Sequence, residues 1–308
     1  MRSCILFLFS AAFQLSLAQN VEIAFRLAEK DLIPEGITFD PSTKSFYVSS
    51  INKRKIVKVD EKGSSSDFIS SGQDGIGEVL GLKAAQGKLW SCNNLSSDTM
   101  SQAMIHQFDL PNGKLVHKWV LMVKGENHFF NDLAISSAGE AFISDSDFGA
   151  IYRASQDRQE PELWLKDNRL RDINGITMVK DGDIIVNASL GFYKINPSTK
   201  EIKTLPFPGY FPLGIDGLSA YRQSLIGVQN VVFPVSINQY YLNSTFDQIE
   251  RAKVLVANHP KFDVPTTGTV AGDWFYFIAN SQLLNFEKGK VKEPLKLKEV
   301  LIMKVHLD

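Results

Sequence analysis

Apolar residues in this chain fall in short runs, roughly four to eight residues long and rich in Val, Ile, Phe and Tyr. Ser45-Phe46-Tyr47-Val48, Ile56-Val57-Lys58-Val59 and Ile184-Ile185-Val186 are examples, and many runs alternate with polar positions. Between them stand turn-forming clusters: Asp40-Pro41-Ser42-Thr43, Pro111-Asn112-Gly113, Lys180-Asp181-Gly182-Asp183 and Asn196-Pro197-Ser198-Thr199. No long stretch repeats its apolar positions at the spacing of a helix. Residues 244–253 are the best helix candidate, and the segment is short. The pattern predicts an all-β chain.

Lining up the strands exposes a repeat. Each unit opens on a polar residue followed by Gly or Asp, then runs through a strand, a turn and two further strands. The openings are Glu35-Gly36-Ile37-Thr38, Asn131-Asp132-Leu133-Ala134, Asn174-Gly175-Ile176-Thr177 and Asp216-Gly217-Leu218-Ser219. Weaker copies lie around Val79-Leu80-Gly81-Leu82 and Thr267-Gly268-Thr269-Val270. A spacing of roughly 40 to 50 residues matches one four-stranded propeller blade. Six blades fill the chain from about residue 30 onward, which predicts a six-bladed β-propeller. Residues 21–28 form an extra strand before the first unit, and pairing it beside residues 300–306 would close the ring through the last blade.

The 308 residues carry a formal net charge of -1, which argues against nucleic acid or anionic membrane held by bulk charge. The first 18 residues differ from the rest. Met1-Arg2 precedes an apolar segment at residues 5–17, with small residues before Gln19, the layout of a cleaved signal peptide. The segment is too short for a transmembrane span. The expected product is residues 19–308, a single secreted or periplasmic domain without a membrane span. Removing Cys4 leaves Cys92 with no cysteine to pair with in the chain, so the core itself must hold the fold. Asn94, Asn187 and Asn243 begin possible glycosylation triplets.

In a propeller, the residue before each innermost strand stands at one mouth of the central channel. Here those residues are Glu35, Asn131, Asn174 and Asp216. Four oxygen donors with two negative charges suit a hard divalent cation, Ca²⁺ first, with Mn²⁺ or Zn²⁺ as alternatives. His128, three residues before Asn131, is a candidate base, and Asp145 and Asp147 form a nearby acidic pair. No nucleotide loop, redox motif or Gly-x-Ser-x-Gly elbow occurs.

The ordered set of openings, together with Phe39-Asp40-Pro41 and Phe130-Asn131-Asp132-Leu133, resembles the senescence marker protein (regucalcin)/gluconolactonase/luciferin-regenerating family, cousins of the paraoxonases. The resemblance covers nearly the whole chain after the signal segment. It implies a six-bladed propeller with one catalytic metal. Glu35, Asn174 and Asp216 would be its core ligands, Asn131 a further ligand or substrate contact, and Asp132 a support for that loop. It further implies hydrolysis of a lactone or related ester, with Asp216 as general base or nucleophile.

The chain departs from that family in two places. The second opening, with Glu78, gives no clear counterpart of the substrate-contacting residues. Glu126-Asn127-His128 stands where sugar lactonases carry an arginine. The aromatic pairs Phe129-Phe130 and Tyr210-Phe211, with Phe233, predict a more apolar mouth and a less polar substrate than gluconolactone. A non-catalytic, metal-stabilised binding propeller and a phosphotriester hydrolase share the same ligand set.

Overall fold

The computed structural model describes residues 21–96, 101–179, 182–208 and 212–308. The expected signal segment, with Cys4, and Tyr210 and Phe211 lie outside the described residues. Six four-stranded antiparallel sheets follow one another around a central channel. Blade 1 runs from the channel outward through Ile37–Asp40, Ser45–Ser50, Lys55–Val59 and Ser65–Ile69. Blade 2 comprises Glu78–Ala85, Lys88–Ser96, Ser101–Asp109 and Leu115–Leu121, and blade 3 Phe130–Ile135, Ala141–Asp145, Ala150–Ala154 and Glu162–Lys166. Blade 4 comprises Ile176–Met178, Ile184–Ala188, Gly191–Ile195 and Ile202–Thr204, and blade 5 Ile215–Tyr221, Ser224–Gln229, Ser236–Leu242 and Ile249–Ala257.

Blade 6 is assembled from both ends of the described chain. Its strands are Gly268–Ala271, Trp274–Ile278, Val300–His306 and, outermost, Val21–Leu27. The last two pair antiparallel, with Val21 opposite Val305 and Leu27 opposite Val300. The early strand thus closes the ring as the pattern predicts.

Turn chemistry explains where the hairpins fold back. The Asp40 carboxylate accepts hydrogen bonds from the backbone of Ser42 and Thr43, and Asn196 Oδ1 does the same for Ser198 and Thr199. Such local bonds compete with strand pairing and end it. The expected helix at residues 244–253 does not form. Asn243 caps a turn by accepting from Asp247 and Gln248, and Ile249 starts the outer strand of blade 5. Sheet pairing with Ser236–Leu242 satisfies that backbone, a tertiary context that overrides local preference.

Packing shows why a single blade could not stand alone. Six clusters of buried apolar side chains each join two neighbouring blades, so the hydrophobic core is itself a ring. Middle strands such as Ala141–Asp145 are buried on both faces, which accounts for apolar runs that do not alternate. A long connection in blade 6 (residues 279–299) folds as a strap at the channel-mouth end. It buries Leu297 against Ile33 and Ile51, beside the start of blade 1. Two of the glycosylation triplets are closed off. Asn94 is buried with both amide atoms bonded to the Phe130 backbone, and the Asn187 amide nitrogen donates to the Ile215 carbonyl.

Candidate metal-binding site in the channel mouth

The blade openings form two rings, one residue apart. Close approaches between blades set their alignment. A methyl added at Gly36 would lie 2.2 Å from the Leu80 carbonyl oxygen, and one at Gly81 would lie 2.8 Å from the Asp132 α-carbon. At Gly175 the nearest atom would be the Asp216 carbonyl oxygen at 2.6 Å, and at Gly217 the Thr267 α-carbon, also at 2.6 Å. The close-packed ring is therefore Gly36, Gly81, Asp132, Gly175, Gly217 and Thr267. The ring facing the mouth is Glu35, Leu80, Asn131, Asn174, Asp216 and Thr266. The Thr266 and Thr267 hydroxyls donate to the Glu35 carbonyl, sealing blade 6 to blade 1.

This alignment places Leu80 at the second blade's position and moves the sixth by one residue, from the expected Thr267 to Thr266. Glu78 opens the inner strand of blade 2, two residues before the ring position, and is half-buried.

The four sequence-predicted ligands meet at this mouth. Glu35, Asn131 and Asp216 are buried. The Asn174 amide nitrogen donates to Asp216 Oδ1 at 2.8 Å, and Asn230 donates to Asp216 Oδ2 at 2.5 Å. Asn131 donates to Ser146 Oγ at 3.0 Å. These bonds use the amide nitrogens and turn the oxygens away. Glu35 Oε2, Asn131 Oδ1 and Asn174 Oδ1 are buried without a partner in the protein, and so is Asn187 Oδ1. Leaving such acceptors bare is costly, and a cation between them would relieve that cost.

Electrostatics point the same way. Burial, and then the neighbouring charges of Asp216 and Asp132, push the Glu35 carboxyl well above its ordinary range. Burial raises Asp216 to about 7 against the opposing amide bonds of Asn230 and Asn174, with Asp132 adding to the rise. Burial raises Asp132 to about 6, opposed by Lys83 and by the amides of Leu133 and Ile176. Glu35 and Asp216 buried beside each other, with the charge of Asp132 behind them, favour a bound cation. Among the described residues no three His, Cys, Asp or Glu side chains gather as a metal site, so amides must complete the donor set. Oxygens alone fit a hard cation such as Ca²⁺ better than zinc, which favours nitrogen and sulfur.

Asp132 occupies a ring position where four other blades have glycine. Its Oδ1 accepts from the Leu133 amide at 2.8 Å and its Oδ2 lies 3.4 Å from the Ile176 amide. It thereby links the inner strands of blades 3 and 4, while Ser144 Oγ accepts its own N–H at 3.0 Å.

His128 is buried between Phe148 and Tyr152. Its Nδ1 bonds Asp145 Oδ2 at 2.6 Å and its Nε2 bonds Glu126 Oε2 at 3.2 Å. The acidic pair divides: Asp145 is buried and also accepts from the backbone of Phe129 and Phe148, whereas Asp147 lines a cavity.

That cavity, about 590 Å³, includes Asn131, Asn174 and Asn187 in its wall. Phe129, Leu213, Val231 and Val232 give it an apolar side. Phe130 instead packs into the core between blades 2 and 3. Asn230 and Asn187 were missed as site residues by the sequence reading. They lie on second strands or the connections after them, and the repeat of openings does not point there.

No family model matches the chain, and no curated protein matches it in sequence. Solved structures do match in shape. A gluconolactonase from Xanthomonas campestris aligns with a TM-score of 0.60 at 13% identity, over 93% of this chain and 89% of its own. A streptogramin B lyase aligns with a TM-score of 0.60 at 14% identity, over 94% of this chain and 97% of its own. A PQQ-bound aldose sugar dehydrogenase from Streptomyces coelicolor aligns with a TM-score of 0.64 at 12% identity, over 92% and 97% respectively. Lactonase, lyase and dehydrogenase thus share one scaffold, so the chemistry has to be argued from the site. By shape this chain is a six-bladed propeller of the kind found in gluconolactonase, in keeping with the resemblance of its blade openings.

Proposed function

We propose that the protein is an exported, divalent-cation-dependent hydrolase of lactones or related esters, acting at the channel mouth. The observation that carries this reading is the set of unpartnered oxygens on Glu35, Asn131 and Asn174 beside Asp216, of which Asn131 and Asn174 stand in the wall of a cavity large enough for a small molecule. Glu35, Asn131, Asn174 and Asp216 would hold the ion, with Ca²⁺ the best fit. When bound, the ion supplies Lewis-acid stabilisation of negative charge developing on the ester carbonyl.

The chain's own groups orient and exclude. Asn230 and Asn174 fix the Asp216 carboxylate, and Ser146 fixes the Asn131 amide, so neither must reorganise during reaction. Asp132 braces the start of the inner strand that carries Asn131. Asp216 would also take the proton of an attacking water or attack directly; the other candidate base, His128, has its two ring nitrogens held by Asp145 and Glu126 and would have to release Glu126 to act. Phe129, Leu213 and Val231 would face the apolar part of the substrate and keep water from it.

The test uses the mature chain stripped with chelator and assayed on lactones, esters and phosphotriesters with and without Ca²⁺, Mn²⁺ or Zn²⁺. We expect metal to restore lactone or ester turnover, and Asp216→Ala to lower kcat/KM by about 100-fold or more. Metal that raises Tm without turnover on any of these substrates would leave a metal-stabilised binding propeller.

A further inference from the structure

Exposed apolar side chains are distributed unevenly over the surface. Among the described residues, twelve large hydrophobic side chains are exposed. Eight of these stand on connections at the channel-mouth end, and the other four are on outermost strands. The described turns at the opposite end of the propeller contribute none.

Two parts of the mouth end differ in chemistry. The first belongs to blades 4 and 5, where the described residues 189–190, 205–208, 212–214 and 230–235 contain no charged side chain. Their described parts touch. A methyl on Gly214 would meet Val231 Cβ at 2.9 Å, and one on Gly191 would lie 4.0 Å from Pro212. From this uncharged surface Phe233 stands 88% exposed, Val231 74% and Leu190 68%. The second part is the blade 6 strap, with Leu284 75% exposed and Leu295 fully so. Beside them are exposed lysines at 288, 290, 292, 296 and 298, against glutamates at 287, 293 and 299. Lys292 pairs with Glu287 and Lys296 with Glu293. Lys288, Lys290 and Lys298 have no carboxylate within ion-pair distance among the described residues.

We propose that the mouth end docks on a lipid bilayer carrying anionic headgroups. Blades 4 and 5 would insert Val231 and Phe233, the strap would insert Leu284 and Leu295, and Lys288, Lys290 and Lys298 would meet the headgroup charge. Exposed apolar surface of this extent marks an interaction face. Apolar tips flanked by lysines combine the two weak signals that together give stable membrane attachment. The formal charge of -1 on the whole chain removes bulk attraction, so the binding is local to this face. Docked this way, the 590 Å³ cavity opens toward the lipid. The docking holds whether or not the site turns over a substrate.

Co-sedimentation with sucrose-loaded vesicles tests it, using phosphatidylcholine alone and phosphatidylcholine mixed with phosphatidylserine. The wild-type chain should bind both and favour the mixed vesicles. Val231→Ser with Phe233→Ser should lower partitioning to both by about tenfold or more. Leu284→Ser with Leu295→Ser, in a different loop, should also lower both, which guards against a fold defect in the first pair. Lys288→Ala with Lys290→Ala should weaken binding to mixed vesicles only, by about fivefold per lysine. Failure of the wild type to bind either vesicle, or binding unchanged in both serine pairs, would overturn the proposal. So would a dimer in sedimentation velocity that the Val231→Ser, Phe233→Ser pair dissolves, because the face would then belong to a second copy.

Discussion

The two rings at the channel mouth sit one residue apart along the same six strands, yet they obey different rules. The inner-packing ring is small and uniform: four glycines, one threonine and Asp132, each pressed against the next blade. The mouth ring varies: two carboxyls, two amides, a leucine and a threonine, with oxygens left bare. The first ring closes the propeller, and its tolerance is set by backbone contact. In the second only Thr266 shares that duty, through its bond to the Glu35 carbonyl, so the chemistry of the other positions can be what the site requires. The difference teaches that a single repeat can encode scaffold at one position and site at the next.

The largest effect expected from breaking this contrast is in the packed ring. Gly36→Ala puts a methyl where the Leu80 carbonyl stands, 2.2 Å away, and neither backbone has room to give. We expect a loss of more than about 3 kcal/mol, or no folded protein, read by thermal or urea unfolding. A well-folded Gly36→Ala variant would show that the blades are not so tightly locked.

A smaller effect is expected at Asn230, which touches the mouth ring only through Asp216. Asn230→Ala should weaken Ca²⁺ affinity by about 10- to 100-fold, measured by calorimetric titration, with the fold intact. Unchanged affinity would remove Asp216 from the ligand set or show that it needs no orientation.

The mildest test is one of pH. In the metal-free protein Asp216 titrates near 7 and Asp132 near 6, both above the ordinary value of 3.8, and Glu35 is raised as well. Between about pH 4 and pH 7 the folded state holds protons that the unfolded state has released, so stability must fall as pH rises through that window. Chelated protein should therefore melt at lower temperature at pH 7 than at pH 5, and Ca²⁺ should reverse the trend. Asp132→Asn should lessen the slope and add about 1–3 kcal/mol to the chelated protein at pH 7. A flat profile in chelator would mean that burial does not hold these carboxyls protonated.

How much was legible beforehand follows from what a linear pattern can carry. The turn clusters at Asp40-Pro41-Ser42-Thr43 and Asn196-Pro197-Ser198-Thr199 act through bonds within a few residues, so they could be read directly. The openings at Glu35, Asn131, Asn174 and Asp216 could be read because repetition marks equivalent positions. Residues 244–253 misled because local composition there is outweighed by pairing with a distant strand. Asn230 and Asn187 stayed hidden because they lie outside the repeated motif, and only folding carries them to Asp216 and the cavity. Phe129-Phe130 was expected at the mouth as a pair, but alternation at the start of the strand puts Phe129 in the cavity wall and Phe130 in the core.

By itself the sequence determined the strands, their turns, the sixfold repeat and the oxygen donors at its openings, since each rests on short-range periodicity. The tertiary structure decided which oxygens remain unpartnered, how Asp132 fits among glycines, and which end of the molecule gathers exposed apolar tips. Those properties depend on residues tens or hundreds of positions apart meeting in space, and no pattern along the chain fixes such meetings.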